Sequence, residues 1–203
     1  MPSHFKTFLF ATAACTMLAM TAVDRAHACA CCSEPGQRLE ATAPLDASYK
    51  DELRALRFSA TATFFTDAGF PDSIEGVTDP ASEPYQLTAS LTADRLTLAL
   101  SGAGDRKGSL TLPLPAEVSR LEIDPRVTSE LSPGGGPVLY KEWRLSGNAD
   151  LDGILAKAAK RATARFILHG QGNSCTSSID FSHWTLEVSG PGIRFTLLGA
   201  FER

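Results

Sequence analysis

Most of the features that usually announce an activity are missing from this chain. No Gly-x-Ser-x-Gly elbow, phosphate-binding loop or His-Glu-x-x-His helix occurs in its 203 residues. The triple glycine at 134–136 lacks the lysine and helix that would make it a phosphate cradle. Asp46, Asp51, Glu52, Glu75 and Asp79 fall at no spacing that ties two carboxylates together, so a two-carboxylate hydrolase has no support. Lysine and arginine form no block, and the net charge is −4. This balance excludes an electrostatic reason to bind nucleic acid or an anionic membrane. Tyr140 and Trp143 have opposite strand parity, which removes the one aromatic pair that could have stacked on bases.

Long apolar runs are also scarce, and the single one present is informative. "TFLFATAACTMLAMTAV" follows Lys6 and ends at Asp24. It is short for a membrane span, and "DRAHA" behind it carries an Ala-x-Ala cleavage pattern. Together these read as a signal peptide over residues 1–28, so the protein is expected to be exported, periplasmic or secreted. Cleavage after Ala28 makes Cys29 the first residue; cleavage after Ala30 makes it Cys31. No second run is long enough to be a transmembrane segment. Loss of the leader removes Lys6 and Arg25 against Asp24, making the remainder one charge more negative.

Cysteine is sparse but unevenly placed. Cys15 leaves with the leader, and Cys29, Cys31 and Cys32 crowd into four residues, with Cys175 far downstream. In an oxidising compartment an even count favours disulfides. A bridge from the arm to Cys175 would stabilise by roughly 4–5 kcal/mol in the chain-entropy model. Thiolates are also soft ligands: three on a flexible arm suit Cu(I), and Zn would require a fourth donor from Cys175 or a histidine. A lipid on Cys29 is a further use. Ala26-His27-Ala28 suits ordinary signal peptidase better than lipoprotein processing, so a lipid-anchored envelope protein is the less favoured outcome.

What remains abundant is alternation at period two. "RFSATATFF", "YQLTASLT", "RLTLAL", "SLTLPL", "VSRLEID", "VLYKEWRLS", "ATARFILH", "HWTLEVS" and "IRFTLLGAF" make about nine strands. Ala93-Asp94 and Gly190-Pro191-Gly192 mark hairpin turns, and Pro113 confines its strand to an edge or an end. The fold class is all-β: one antiparallel β-sandwich or up-and-down barrel. Its expected core includes Phe58, Phe64, Leu87, Leu91, Leu96, Leu98, Leu110, Leu112, Phe166, Leu168, Trp184, Leu186, Phe195 and Leu197. "RFSATATFF" puts Ala60 and Ala62 on the same face as its phenylalanines. "ADLDGILAKAAKRA" spaces Leu151, Ile154, Leu155, Ala158 and Ala159 as a short helix, capped by Asp150 and weakened by Gly153. Residues 29–49 show no period and read as an irregular Cys-rich arm, with the β domain over 50–203. Long loops at 66–84 and 132–137 have the length and composition of functional or mobile segments.

The segment "GQGNSCTSSIDFSHW" gathers Asn173, Cys175, Asp180 and His183. A Cys175–His183–Asp180 set could make an activated thiol, but any loop of this richness contains such a set. Parity places His183 on the wet strand face with Thr185 and Glu187, and His169 with Arg165. Two histidines beyond the leader are too few for a histidine-based metal centre without cysteine help. The expected function is therefore that of an exported β-domain binding protein. Its C-x-C-C arm would hold a soft metal such as Cu(I), with a small ligand in a barrel as a further possibility. The alternative is an envelope-associated structural or interaction protein, its arm tethered by a disulfide to Cys175 or by a lipid on Cys29. An enzyme is the less favoured class.

Overall fold

A computed structural model describes residues 33–66, 82–127, 138–157, 159–174 and 177–202. Among these residues ten strands and one α-helix follow in the order β1 (Arg38–Pro44), α1 (Ala47–Ala55), β2 (Phe58–Thr66), β3 (Ser82–Leu91), β4 (Arg95–Ser101), β5 (Lys107–Pro113), β6 (Glu117–Ile123), β7 (Leu139–Gly153), β8 (Arg161–Gly172), β9 (Phe181–Gly190) and β10 (Ile193–Phe201). Every pairing is antiparallel. β2, β3, β4, β5, β7, β8, β9 and β10 close into an eight-stranded ring, sealed where β10 pairs with β2 and β7 with β8. The fold is therefore the up-and-down barrel of the two expected architectures. β1 and β6 are extra strands outside the ring.

The period-two pattern does the folding work, because alternate residues of a strand face opposite sides. Leu96 and Leu98, Leu110 and Leu112, Phe166 and Leu168, Trp184 and Leu186, and Phe195 and Leu197 are fully buried. An eight-stranded barrel is just wide enough for side chains to fill, and these large residues occupy it. Phe64 stacks on Phe195 across the closing seam, with ring centroids 4.9 Å apart. Of the expected core, only Phe58 and Leu91 are half-buried, packed against its margin. Ala60 is exposed although Ala62 is buried: between the Gly199–Ala62 and Phe201–Phe58 pairs β2 runs two residues longer than β10, and Ala60 falls in that irregularity.

The long β7 carries two partners on one edge. Its residues 150–153 pair with β5 and its residues 140–144 with β6, so β5 and β6 lie end to end along it. The break between them falls at Pro113-Leu114-Pro115, where proline removes ladder donors. β6 then carries β1 as an outer flap.

Three local expectations are corrected. The segment from Asp150 is not a helix: β7 continues to Gly153, a 3-10 turn covers Ile154–Ala156, and β8 begins at Arg161. Pairing with β5 overrides the helical spacing, and Gly153 takes φ 61° beside the Lys107 carbonyl, where a Cβ would collide. Residues 29–49 are not all irregular, since 38–44 form β1. α1 begins at the end of that stretch and runs into the expected β domain, capped by the Asp46 carboxylate accepting from the Tyr49 N–H. α1 covers one end of the barrel: Leu53 is buried, and Tyr49 meets Trp143 edge-on at 4.9 Å.

Candidate functional site

The end of the barrel beneath α1 carries buried charge among the described residues. On β7 the inward positions are Leu139, Lys141, Trp143 and Leu145, all buried. A lysine in that row requires a partner. Asp180, in the 3-10 turn Ser178–Asp180, meets Lys141 Nζ at 2.7 Å, and the two side chains are only 4% and 11% exposed. The same Asp180 oxygen accepts the Ser174 backbone N–H at 2.9 Å. Gly170 and Gly172 allow this approach, because a Cβ at either would collide with Asp180. Glu52 of α1 completes the lid by accepting the Ser178 N–H and Oγ–H, each at 2.7 Å.

A second carboxylate holds the entry of the N-terminal segment. Asp124, 1% exposed, accepts from Ser33 Oγ at 2.6 Å and pairs with Arg126 at 2.7 Å, and Arg126 Nη2 also donates to the Ser33 carbonyl. The Arg126 guanidinium holds the Asp124 carboxyl well below the usual carboxylate range. The register joins the two clamps. Ile123 pairs with Tyr140, and Leu139 with Gly172, so Asp124 and Gly172 flank Leu139 on successive strands. At about 4.8 Å per strand, their backbones lie roughly 10 Å apart. Ser33 directly follows Cys32 and Ser174 directly precedes Cys175. Cys29, Cys31, Cys32 and Cys175 themselves lie outside the described residues, as do residues 67–81 of one loop singled out in the sequence and the whole of the other, 132–137.

No protein-family model, curated protein or solved structure matches the chain.

Around the rim, the remaining candidates separate. Asn173 is exposed between Gly172 and Ser174. Asp180 is engaged by Lys141 and Ser174, whereas His183 lies on the outer wall with Nδ1 2.8 Å from Ser182 Oγ. Asp180 therefore does not orient His183, and an acid–base pair built from those two is not assembled. His183 instead faces His169 across the β8–β9 ladder. His169 in turn lies opposite Glu142 of β7. Glu142 accepts from Tyr140 Oη and Arg144 Nε, both at 2.6 Å, and Arg144 reaches Glu40 of β1. Burial first, then the hydrogen bond to Glu142, pushes the Tyr140 hydroxyl up to about 12. Burial and then the neighbouring His183 hold His169 below its ordinary value, with Glu142 opposing.

Among the described residues no group of three or more His, Cys, Asp or Glu side chains is placed to hold a metal ion. Nor, among them, is any helix long and apolar enough to cross a membrane. A cleft of about 660 Å³ opens between α1 and the 3-10 turn, with Leu56, Phe181 and Phe201 on its walls and Glu52 and Arg57 among its polar residues. Sequence reasoning missed Lys141, Glu52 and Asp124. For Lys141 a signal existed, since a charge at a core-facing position of an alternating strand implies a buried partner.

Proposed function

We propose that this chain is an exported β-barrel protein that holds a soft metal ion, Cu(I) foremost, through Cys29, Cys31 and Cys32, with Cys175 as the fourth thiolate. The observation that carries the reading is the convergence of flanks. Ser33 and Ser174 are each fastened by a buried carboxylate at one rim of the barrel, on strands about two spacings apart. Ser33 and Ser174 are the covalent neighbours of Cys32 and Cys175. Thiolate-only donors favour Cu(I), while a four-sulfur set also suits Zn in a tetrahedron.

The same convergence favours a second reading, in which one arm cysteine bridges Cys175 and the barrel serves a structural or interaction role. Intact mass of the exported protein, with and without reductant, separates the two and also reads the cleavage site and any acyl group. Metal binding predicts a chain whose mass does not rise on reduction. Its Cu(I) affinity against a competing chelator falls at least about tenfold when Cys29, Cys31 and Cys32 are changed to Ser, while the β-sheet circular dichroism persists. A gain in mass on reduction that disappears in Cys175→Ser identifies the staple. Equal Cu(I) affinity in parent and triple variant removes the metal role.

A further inference from the structure

The outer wall of the barrel offers imidazole rather than sulfur. His169 of β8 and His183 of β9 are direct register partners, and their rings lie nearly parallel, 20° apart, with centroids separated by 5.9 Å. Directly opposed residues of an antiparallel pair hold their Cβ atoms about 4.5–5.5 Å apart, so rotation about the side-chain torsions, out of this stacked arrangement, can turn the two imidazoles onto one ion. Both rings stand on the solvent side of the sheet, His183 exposed and His169 half-buried.

The hydroxyl groups around them matter more than the proximity. His169 Nε2 lies 3.1 Å from Thr185 Oγ1, and His183 Nδ1 lies 2.8 Å from Ser182 Oγ. A metal-binding imidazole characteristically donates its second ring N–H to an oxygen, which fixes the tautomer and the ring plane. With the proton on the nitrogen that faces each hydroxyl, the lone pairs sit on His169 Nδ1 and His183 Nε2. Each ring therefore has one nitrogen held and one available. Glu142 of β7 lies opposite His169, with its own oxygens held by Tyr140 and Arg144. Burial and then the neighbouring His183 favour the neutral form of His169, with Glu142 opposing, and the neutral form is the one that binds a metal ion.

We propose that His169 and His183 form a cross-strand chelate for a divalent transition-metal ion, Cu(II) or Zn, on the outer wall of the barrel, with water completing the coordination. Imidazole nitrogen suits these borderline cations, whereas the cysteine arm suits a soft one. The site is independent of the thiolates, and its test silences them.

Cu(II) is titrated against a competing chelator into the chain beginning at Cys29 after its thiols are reduced and alkylated. The parent is compared with His169→Asn, His183→Asn and the double variant. A chelate makes the second nitrogen intramolecular, so either single change weakens the site at least about tenfold and the double change adds little more. Binding falls as pH drops and protons displace the ion. The parent's Cu(II) electron paramagnetic resonance spectrum carries splitting from two equivalent-type nitrogens, absent from the double variant. His183 is exposed, so His183→Asn keeps the fold and decides the matter should His169→Asn not. Parent and double variant with equal affinity would overturn the proposal. So would single variants that each lose one of two independent sites at unchanged affinity.

Discussion

Lys141 shows how one side chain can organise a rim. Its amino group lies among core residues, and Asp180 is the carboxylate that makes that position tolerable. Removing one member of a buried pair strands the other charge, which costs about 3–5 kcal/mol. Lys141→Met should therefore lower stability by that order, measured as a shift in the urea midpoint. The double variant Lys141→Met/Asp180→Asn should lose much less than the two single losses added together. Additive losses would mean that the two groups act separately. His169 makes a different prediction. Its folded imidazole protonates below the ordinary 6.5 of the free side chain. The unfolded chain therefore binds the proton first as pH falls. The contribution of His169 is complete above about pH 6.5 and is lost as pH drops through the folded value. Melting temperatures measured from about pH 7.5 down to 5 should fall more steeply in the parent than in His169→Asn, and parallel profiles would contradict this.

Among the elements, α1 depends on tertiary packing rather than on its own composition. Only Leu53 of its nine residues is buried, with Tyr49 against Trp143 and Glu52 on Ser178 as its other anchors. Leu53→Ala should cost about 2–5 kcal/mol and release the contact with the Ser178 turn. Faster amide exchange at Ser178 than in β8 would report it. The helix was illegible in sequence for the same reason: one buried position in nine leaves no 3.6-residue period to read. The strands were legible because each buries a whole face, as Leu96, Leu98 and Leu100 do in β4. The segment after Asp150 misled because Leu151 and Leu155 are both buried at helical spacing. Leu151 belongs to a strand paired with β5, and Leu155 to the turn beyond it. The site candidates divide similarly. Parity placed His183 on the wet face, but nothing in one sequence gives the register that sets His169 opposite it. Nor does it bring Asp180 beneath Lys141, a pairing across 39 positions.

The whole molecule is a closed ring with a flap. β1 is bound by a single ladder to β6, whereas β10 is held between β2 and β9 and by the interior packing. The row of partners from Glu40 through Leu121, Glu142, His169 and His183 to Ala200 puts the first residues of β1 and the end of β10 at the same rim. That geometry has a mechanical consequence. Tension between the arm and the C-terminus pulls across the strands and opens ladders one pair at a time. The Ser33 clamp yields first, then β1, because one ladder resists less than two. In a single-molecule stretching experiment, residues 33–57 should come free as an early low-force step of roughly 8 nm, before the ring ruptures as a unit. Were the arm fixed to a surface, those residues would act as an extensible leash that dissipates load and leaves the barrel intact.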